Sequence, residues 1–415
     1  MRTNATIAAA LLLGFAVGCA GGDGSWGGTI TDSAGVTLVS NDGRAIWSDA
    51  SRWTLVEDLR FGEVEGDPNY QFGQIGMIGV NSEGRMFVLD AQAQHIRVFD
   101  SDGRYEQTLG GPGEGPGELS RAAGFCLIAK GDTVWVPDLL NQRINRWAPD
   151  GTLLPSIPLP LGQMIPIVFR ATTMGDITYQ VRPFPAPNAP APDSMDTILL
   201  LDQAGAITDT LMRFPTGQGF TVRGGAAQFN VWYPEPLWDV RDDLRVVYGV
   251  NDDYRFGIYD ETGTPELIVS MPFEPKQVTD REKRVILDFF SDAARERGAS
   301  PAQVSQLMNA VNFGEYIPAF SAILSGPRGT TWVQHIQSIG ELSEEEMEGF
   351  NIQDLGAPDW DVFDADGRFL GVLTMPERFS PRGFANDRIY GVWRDALDVQ
   401  YVTRLRLVGI PTAEG

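Results

Sequence analysis

A pattern repeated along the chain limits its fold more than any single motif does. Phe87, Asp90, Ile96, Phe99 and Asp102-Gly103 align without a gap on Trp135, Asp138, Ile144, Trp147 and Asp150-Gly151. In both copies the aromatic precedes the turn glycine by 16 residues. The same pair recurs as Tyr179 with Gly205, Tyr248 with Gly263 and Trp332 with Gly367, at separations of 26, 15 and 35. A sixth copy begins at Asp387-Arg388-Ile389-Tyr390-Gly391, with too few residues behind it for a fourth strand. Copies that keep their strands and vary in their loops are what a stacked repeat architecture produces.

Each copy reads as a strand, a turn rich in Gly and Asp, a strand carrying the aromatic, a loop, a third strand and an Asp-x-Gly-like hairpin turn. That is a four-stranded antiparallel meander. The 47 glycines and 27 prolines among 415 residues supply the turns. Separate meanders would leave sheet faces open to water, and a closed ring buries them while leaving only short, protected edges. The expected fold is all-β, a six-bladed β-propeller. Its last blade is one strand short, and Trp53 to Phe61, ahead of the first full copy, has the character to supply that strand and lock the ring. The string Gly110-Gly111-Pro112-Gly113-Glu114-Gly115-Pro116-Gly117-Glu118-Leu119 resembles the connector between blades of NHL-type lipoproteins. Over residues 35 to 408 the chain resembles six-bladed propellers of the NHL or TolB-like kind.

The N-terminus carries a second signal. Met1-Arg2 precedes an uncharged apolar run from Ala5 to Val17, which ends in Ala16-Val17-Gly18-Cys19. This resembles a bacterial lipoprotein signal peptide with a lipobox. The expectation is a signal peptide over 1–18, lipidation at Cys19, a tether over 19–33 and a propeller over 34–410, held by lipid at the membrane of the cell envelope. Cys126 then stays as a lone thiol in the apolar setting Phe125 to Ile128. A formal charge of −23 repels nucleic acid and anionic surfaces, which excludes nucleic-acid partners.

Two copies carry long insertions, Arg182 to Pro192 and Ile336 to Trp360, both between their second and third strands. A third insertion, at about 277–313, is helical. Thr279 to Glu282 forms a capping box ahead of Val285, Ile286, Phe289 and Phe290. Ser300-Pro301 starts another helix, with Val304, Leu307 and Met308 on one side. Strands alternate in direction, so these loops and the connectors between blades emerge on one face, and a binding function is expected there.

Dedicated catalytic motifs are missing from the sequence: it has two histidines, His95 and His335, and no P-loop, no His-Glu-x-x-His and no Gly-x-Ser-x-Gly. Asp100-Ser101-Asp102-Gly103 and Asp364-Ala365-Asp366-Gly367 imitate the start of a calcium loop but lack its twelfth-position Glu, so they read as hairpin turns. Counting three beyond each blade aromatic reaches Asp90, Asp138, Arg182, Asn251 and His335, and Arg394 follows Tyr390 by four. Together with His95, Arg143 and Arg255 these polar residues mark the candidate ligand-binding face. Asp90 with His95 and Asp138 with Arg143 also read as structural pairs that bridge one hairpin. Arg143, Arg182, Arg255 and Arg394 have the chemistry to hold a carboxylate. The leading expectation is a binding or scaffold module for a protein, peptide or glycan that needs no cofactor. The alternative takes its form from lactonase-like propellers: a calcium-dependent hydrolase with calcium on Asp90, Asp138 and Asn251.

Overall fold

A computed structural model of the chain describes residues 26–410, apart from 121, 123–124, 160–163, 184–194, 224–225 and 344–355. The expected signal peptide, Cys19 and the central parts of both long loops lie outside the described residues. Six four-stranded antiparallel meanders follow one another along the chain, as the repeat requires, five as separate sheets and one extended by two further strands. Blade 1 runs from Ile75 to Gly110, blade 2 from Leu127 to Pro158, blade 3 from Met164 to Pro215, blade 4 from Pro236 to Ser270 and blade 5 from Ala322 to Thr374. Blade 6 takes three strands from Phe379 to Val408 and its fourth from Thr54–Phe61, which pairs antiparallel with Gln400–Val408. The chain is thus an all-β six-bladed propeller closed by its N-terminal strand.

Burial on both faces explains why the second strands are rich in apolar residues at successive positions, as in Met86–Asp90 and Val246–Val250. In Met86–Asp90, Phe87 and Leu89 pack with Val134 and Val136 of blade 2, while Met86 and Val88 pack with Tyr390 and Val392 of blade 6. Successive side chains point to opposite faces, so one strand serves two interfaces. Blades 2 and 3 meet around Trp135 and Phe169, blades 3 and 4 around Phe214 and Trp238, blades 4 and 5 around Phe256 and Phe363, and blades 5 and 6 around Trp332 and Phe384.

The final hairpin of most blades turns on an aspartate. Asp100 Oδ1 accepts from the amides of Asp102 and Arg104 at 2.9 and 2.8 Å, and Asp364 Oδ1 accepts from Asp366 and Arg368 at 3.0 and 2.8 Å. Asp202 and Asp260 repeat the arrangement. The calcium-like strings are therefore self-satisfied turns, with Gly103 and Gly367 at φ +79° and +78° completing them.

Additions to the ring divide into two. Thr29–Ser33 and Val36–Ser40 form a hairpin whose second strand runs parallel to Pro265–Ser270, making blade 4 a six-stranded sheet. The last five residues of the expected tether are thus a strand. On the face that carries the long loops, helices α1 (Asp280–Glu296) and α2 (Pro301–Asn309) form a cap, each started by a full capping box. A hairpin of Phe220–Arg223 and Ala226–Val231, from the connector between blades 3 and 4, joins them through parallel pairing with Val311–Phe313. Ile286 of α1 packs on Trp232, Ile317 and Ile339, so the apolar side of this helix is a packing face.

Glu282 ties the cap down. Its buried carboxylate accepts from the Thr279 amide and hydroxyl at 2.7 and 2.8 Å, from Ser338 Oγ at 3.1 Å and from the Gly340 amide at 3.3 Å. Its replacement by alanine strands those donors, at about 2 kcal/mol. Glu282→Ala is expected to raise amide hydrogen exchange in α1 about 30-fold while the blade strands keep their protection. The ring itself depends on closure. A chain starting at Gly62 is expected to lose its cooperative calorimetric transition and associate through the open edge of blade 6. A chain starting at Asn41, without the outer hairpin, should still melt as one unit.

Candidate functional site

The six positions found by counting from the blade aromatics fall at matching places. Asp90, Asp138, Arg182, Asn251, His335 and Arg394 all stand at or beside the last residues of the second strand of their blades, on the capped face. The register that puts them there follows from the repeat. Their side chains, however, are mostly occupied. Asp90 is buried and accepts from the amides of Gly73, Gln74, Gln92 and Ala93 at 2.9 to 3.2 Å. Asp138, also buried, accepts from the Ser120 amide and from Asn141 Nδ2, both at 2.8 Å. Asn251 Oδ1 accepts from the Glu235 amide at 2.7 Å and its Nδ2 donates to the Phe320 carbonyl at 2.8 Å. Each of the three holds a connector against its blade. A calcium ion on them would have to displace those amides, and no group of three His, Cys, Asp or Glu side chains converges among the described residues. The donor set does not fit calcium.

The arginines are also engaged. Arg143 donates to the carbonyls of Gly115 and Glu118 and so fastens the Gly-Pro connector between blades 1 and 2. Arg182 forms a two-pronged pair with buried Asp196, Nε to Oδ1 at 3.0 Å and Nη2 to Oδ2 at 2.9 Å. Arg394 Nε faces Asp398 at 3.3 Å. Arg255, at the start of the third strand of blade 4, is exposed. A single external carboxylate gripped by all four would have to break three existing arrangements.

Above blade 4 the capped face opens into a pocket of about 470 Å3. Trp232 and Tyr233 come from the connector between blades 3 and 4, Asp252 from the loop after the second strand of blade 4, Phe273 from the start of the next connector, and Phe313, Glu315 and Tyr316 from its end. Four pieces of chain that are distant in sequence thus share one wall. Sequence reasoning missed all of these residues. Their one local sign was aromatic and proline residues in connectors, as in Trp232-Tyr233-Pro234 and Tyr316-Ile317-Pro318.

The two histidines sit in opposite environments. His335 Nε2 lies 3.0 Å from Asp361 Oδ1, and Tyr254 Oη donates to the other oxygen of that buried carboxylate. The hydrogen bond to Asp361 raises the His335 pKa, and burial pushes that of Tyr254 well above its usual value. Burial, reinforced by Arg97, lowers the pKa of His95, whose Nε2 has no hydrogen-bond partner among the described residues. Stability from His335 is therefore fully present below the unfolded value near 6.5 and is lost as pH rises through its raised folded value. Stability from His95 has the reverse sense, present above 6.5 and lost as pH falls toward its lowered folded value. Proton NMR of the two imidazole C2–H signals should give midpoints on either side of 6.5. Asp361→Asn should bring the higher one down and leave the other in place.

Comparison with known proteins bears on the fold. A sequence-family profile described as a 6-bladed beta-propeller matches residues 51–162, from the closing strand past the end of blade 2. No curated protein sequence matches the chain. Among solved structures, a protein described as exported, from Bacteroides fragilis NCTC 9343, is 13% identical, with a TM-score of 0.51 over 89% of this chain and 99% of its own. A member of the duf4221 family from Bacteroides vulgatus atcc 8482 is 12% identical, with a TM-score of 0.50 over 86% and 99%. At these identities the likeness is one of fold, and it agrees with the six blades traced here.

Proposed function

We propose that this chain is a lipid-anchored propeller of the bacterial cell envelope that binds a protein, peptide or glycan through its capped face. The observation that carries this reading is the aromatic pocket above blade 4. It lies on the face where connectors, helices and long loops accumulate, and its volume is of the size that ligand pockets usually have. The matching ring positions support the same reading by subtraction, because Asp90, Asp138 and Asn251 serve the scaffold. The lipobox ending at Cys19 supplies the membrane anchor.

Two measurements test the parts separately. Cys19→Ala should move the protein from the membrane fraction to the soluble fraction in cell fractionation. A photo-crosslinking amino acid at exposed Tyr316, on the capped face, should give discrete adducts in intact cells, whereas one at exposed Asp102, on the opposite face, should give none. Equal labelling from both faces would overturn the assignment of the binding face.

A further inference from the structure

The pocket above blade 4 has a chemical character that its volume alone does not convey. Its lining includes the aromatic residues Trp232, Tyr233, Phe273, Phe313 and Tyr316, and its charged members are the carboxylates Asp252 and Glu315. Among the described lining residues there is no lysine, arginine or histidine. Aromatic faces carry negative electrostatic potential, so a cation placed over them is attracted, and a carboxylate at the rim adds to that attraction. An anion meets the reverse: two carboxylates and a chain of net charge −23.

The backbone is built to hold this wall in place. Trp232 has φ +58°, a left-handed conformation that is a genuine outlier for so bulky a residue. It persists because neighbouring chain over-determines it: the Gly314 amide donates to the Val231 carbonyl at 2.9 Å, and Gly314 lies so close that an added Cβ would stand 2.2 Å from the Trp232 carbonyl oxygen. The indole is 6% exposed, its ring centroid lies 6.0 Å from that of Phe313, and its Nε1 has no hydrogen-bond partner among the described residues. Strain of this kind gathers at ligand clamps. An orphaned indole N–H within a packed cap is a polar group that water or protein would normally satisfy.

We propose that this pocket receives the cationic side chain of a lysine or arginine presented by a peptide segment of a partner protein. The inference rests on the reading of the capped face as a binding surface and specifies what that face selects. A lysine or arginine side chain suits it in both of its parts. The methylene stem packs against apolar ring surface, and the charged head reaches the aromatic faces and the rim carboxylates. At about 470 Å3 the space exceeds one ammonium group and accommodates the residues on either side of it. Charge complementarity selects a basic segment over a neutral or acidic one.

The test uses the soluble form from Gly21 onward, labelled with 5-fluorotryptophan, with the Trp232 signal assigned through Trp232→Phe. Three amidated, acetylated pentapeptides serve as probes, Ala-Ala-X-Ala-Ala with X as lysine, norleucine or glutamate. The lysine peptide should shift the Trp232 fluorine signal saturably and bind about tenfold more tightly than the norleucine peptide, and the glutamate peptide should leave the signal unmoved. Asp252→Asn combined with Glu315→Gln should remove the lysine preference while the melting temperature stays unchanged, because both residues are exposed. Added salt should weaken the lysine peptide and not the norleucine peptide. Equal binding of norleucine would overturn the selection for charge and leave the capped face as an apolar binding surface. Silence from all three, alongside crosslinks from Tyr316 in cells, would overturn this pocket as the contact point while the binding face itself stood.

Discussion

Each blade of this propeller is a sheet with two apolar faces, and no blade can bury both unless it has a neighbour on each side. That requirement makes ring closure the condition on which the remaining structure rests. The chain meets it by giving Thr54–Phe61 to the last blade, in register with Gln400–Val408. Asp58 of this strand lies 2.6 Å from Arg404 and 3.6 Å from Arg388, so an ion-pair cluster marks the join between the two ends of the chain. Once closed, the ring places an apolar interface between every pair of adjacent blades, and each second strand contributes to two of them.

Closure also decides what each face does. The turns after the third strands are short and satisfied by their own aspartates, so that face is settled locally. The other face has to carry the chain from the outer strand of one blade to the inner strand of the next, and these crossings need anchors. Asp90, Asp138, Asn251 and Arg143 are those anchors, which is why polar residues at matching positions serve the scaffold. Two crossings grew beyond this need. The hairpin of Phe220–Val231 and the helical segment after blade 4 meet through a parallel strand pair, and Glu282 fastens the helices to the loop of blade 5. The pocket is the space left where these crossings meet the top of blade 4.

Local signals were legible. The capping box at Thr279 and the helix start at Ser300-Pro301 are legible from residue types at fixed spacing, because an N-cap hydrogen bond closes within one turn; that Ser300 also forms a full box with Gln303 comes from the structure. The Asp-x-Gly turns were read for the same reason. The closing strand was inferred by elimination, since a sixth blade short of one strand has to find it elsewhere. The hairpin from Phe220 to Val231 was not foreseen. Its third strand, Val311–Phe313, lies in another connector, and no periodic pattern links the two segments. The His335–Asp361–Tyr254 chain escaped notice likewise, because it joins blades 4 and 5 across a boundary that the repeat does not encode.

Sequence alone determined the number of blades, the strand that closes the ring and the face on which the insertions emerge, because these follow from repeat count and from the strict alternation of strand direction. It also determined which polar residues stand at corresponding blade positions, since the repeat sets their register. Tertiary structure decided whether those side chains face a ligand or bind the scaffold, and it decided that aromatic residues from three separate stretches, with an aspartate from a fourth, form one wall. Hydrogen-bond partners and shared cavities depend on where distant segments pass one another, and that is set by packing in three dimensions rather than by spacing along the chain.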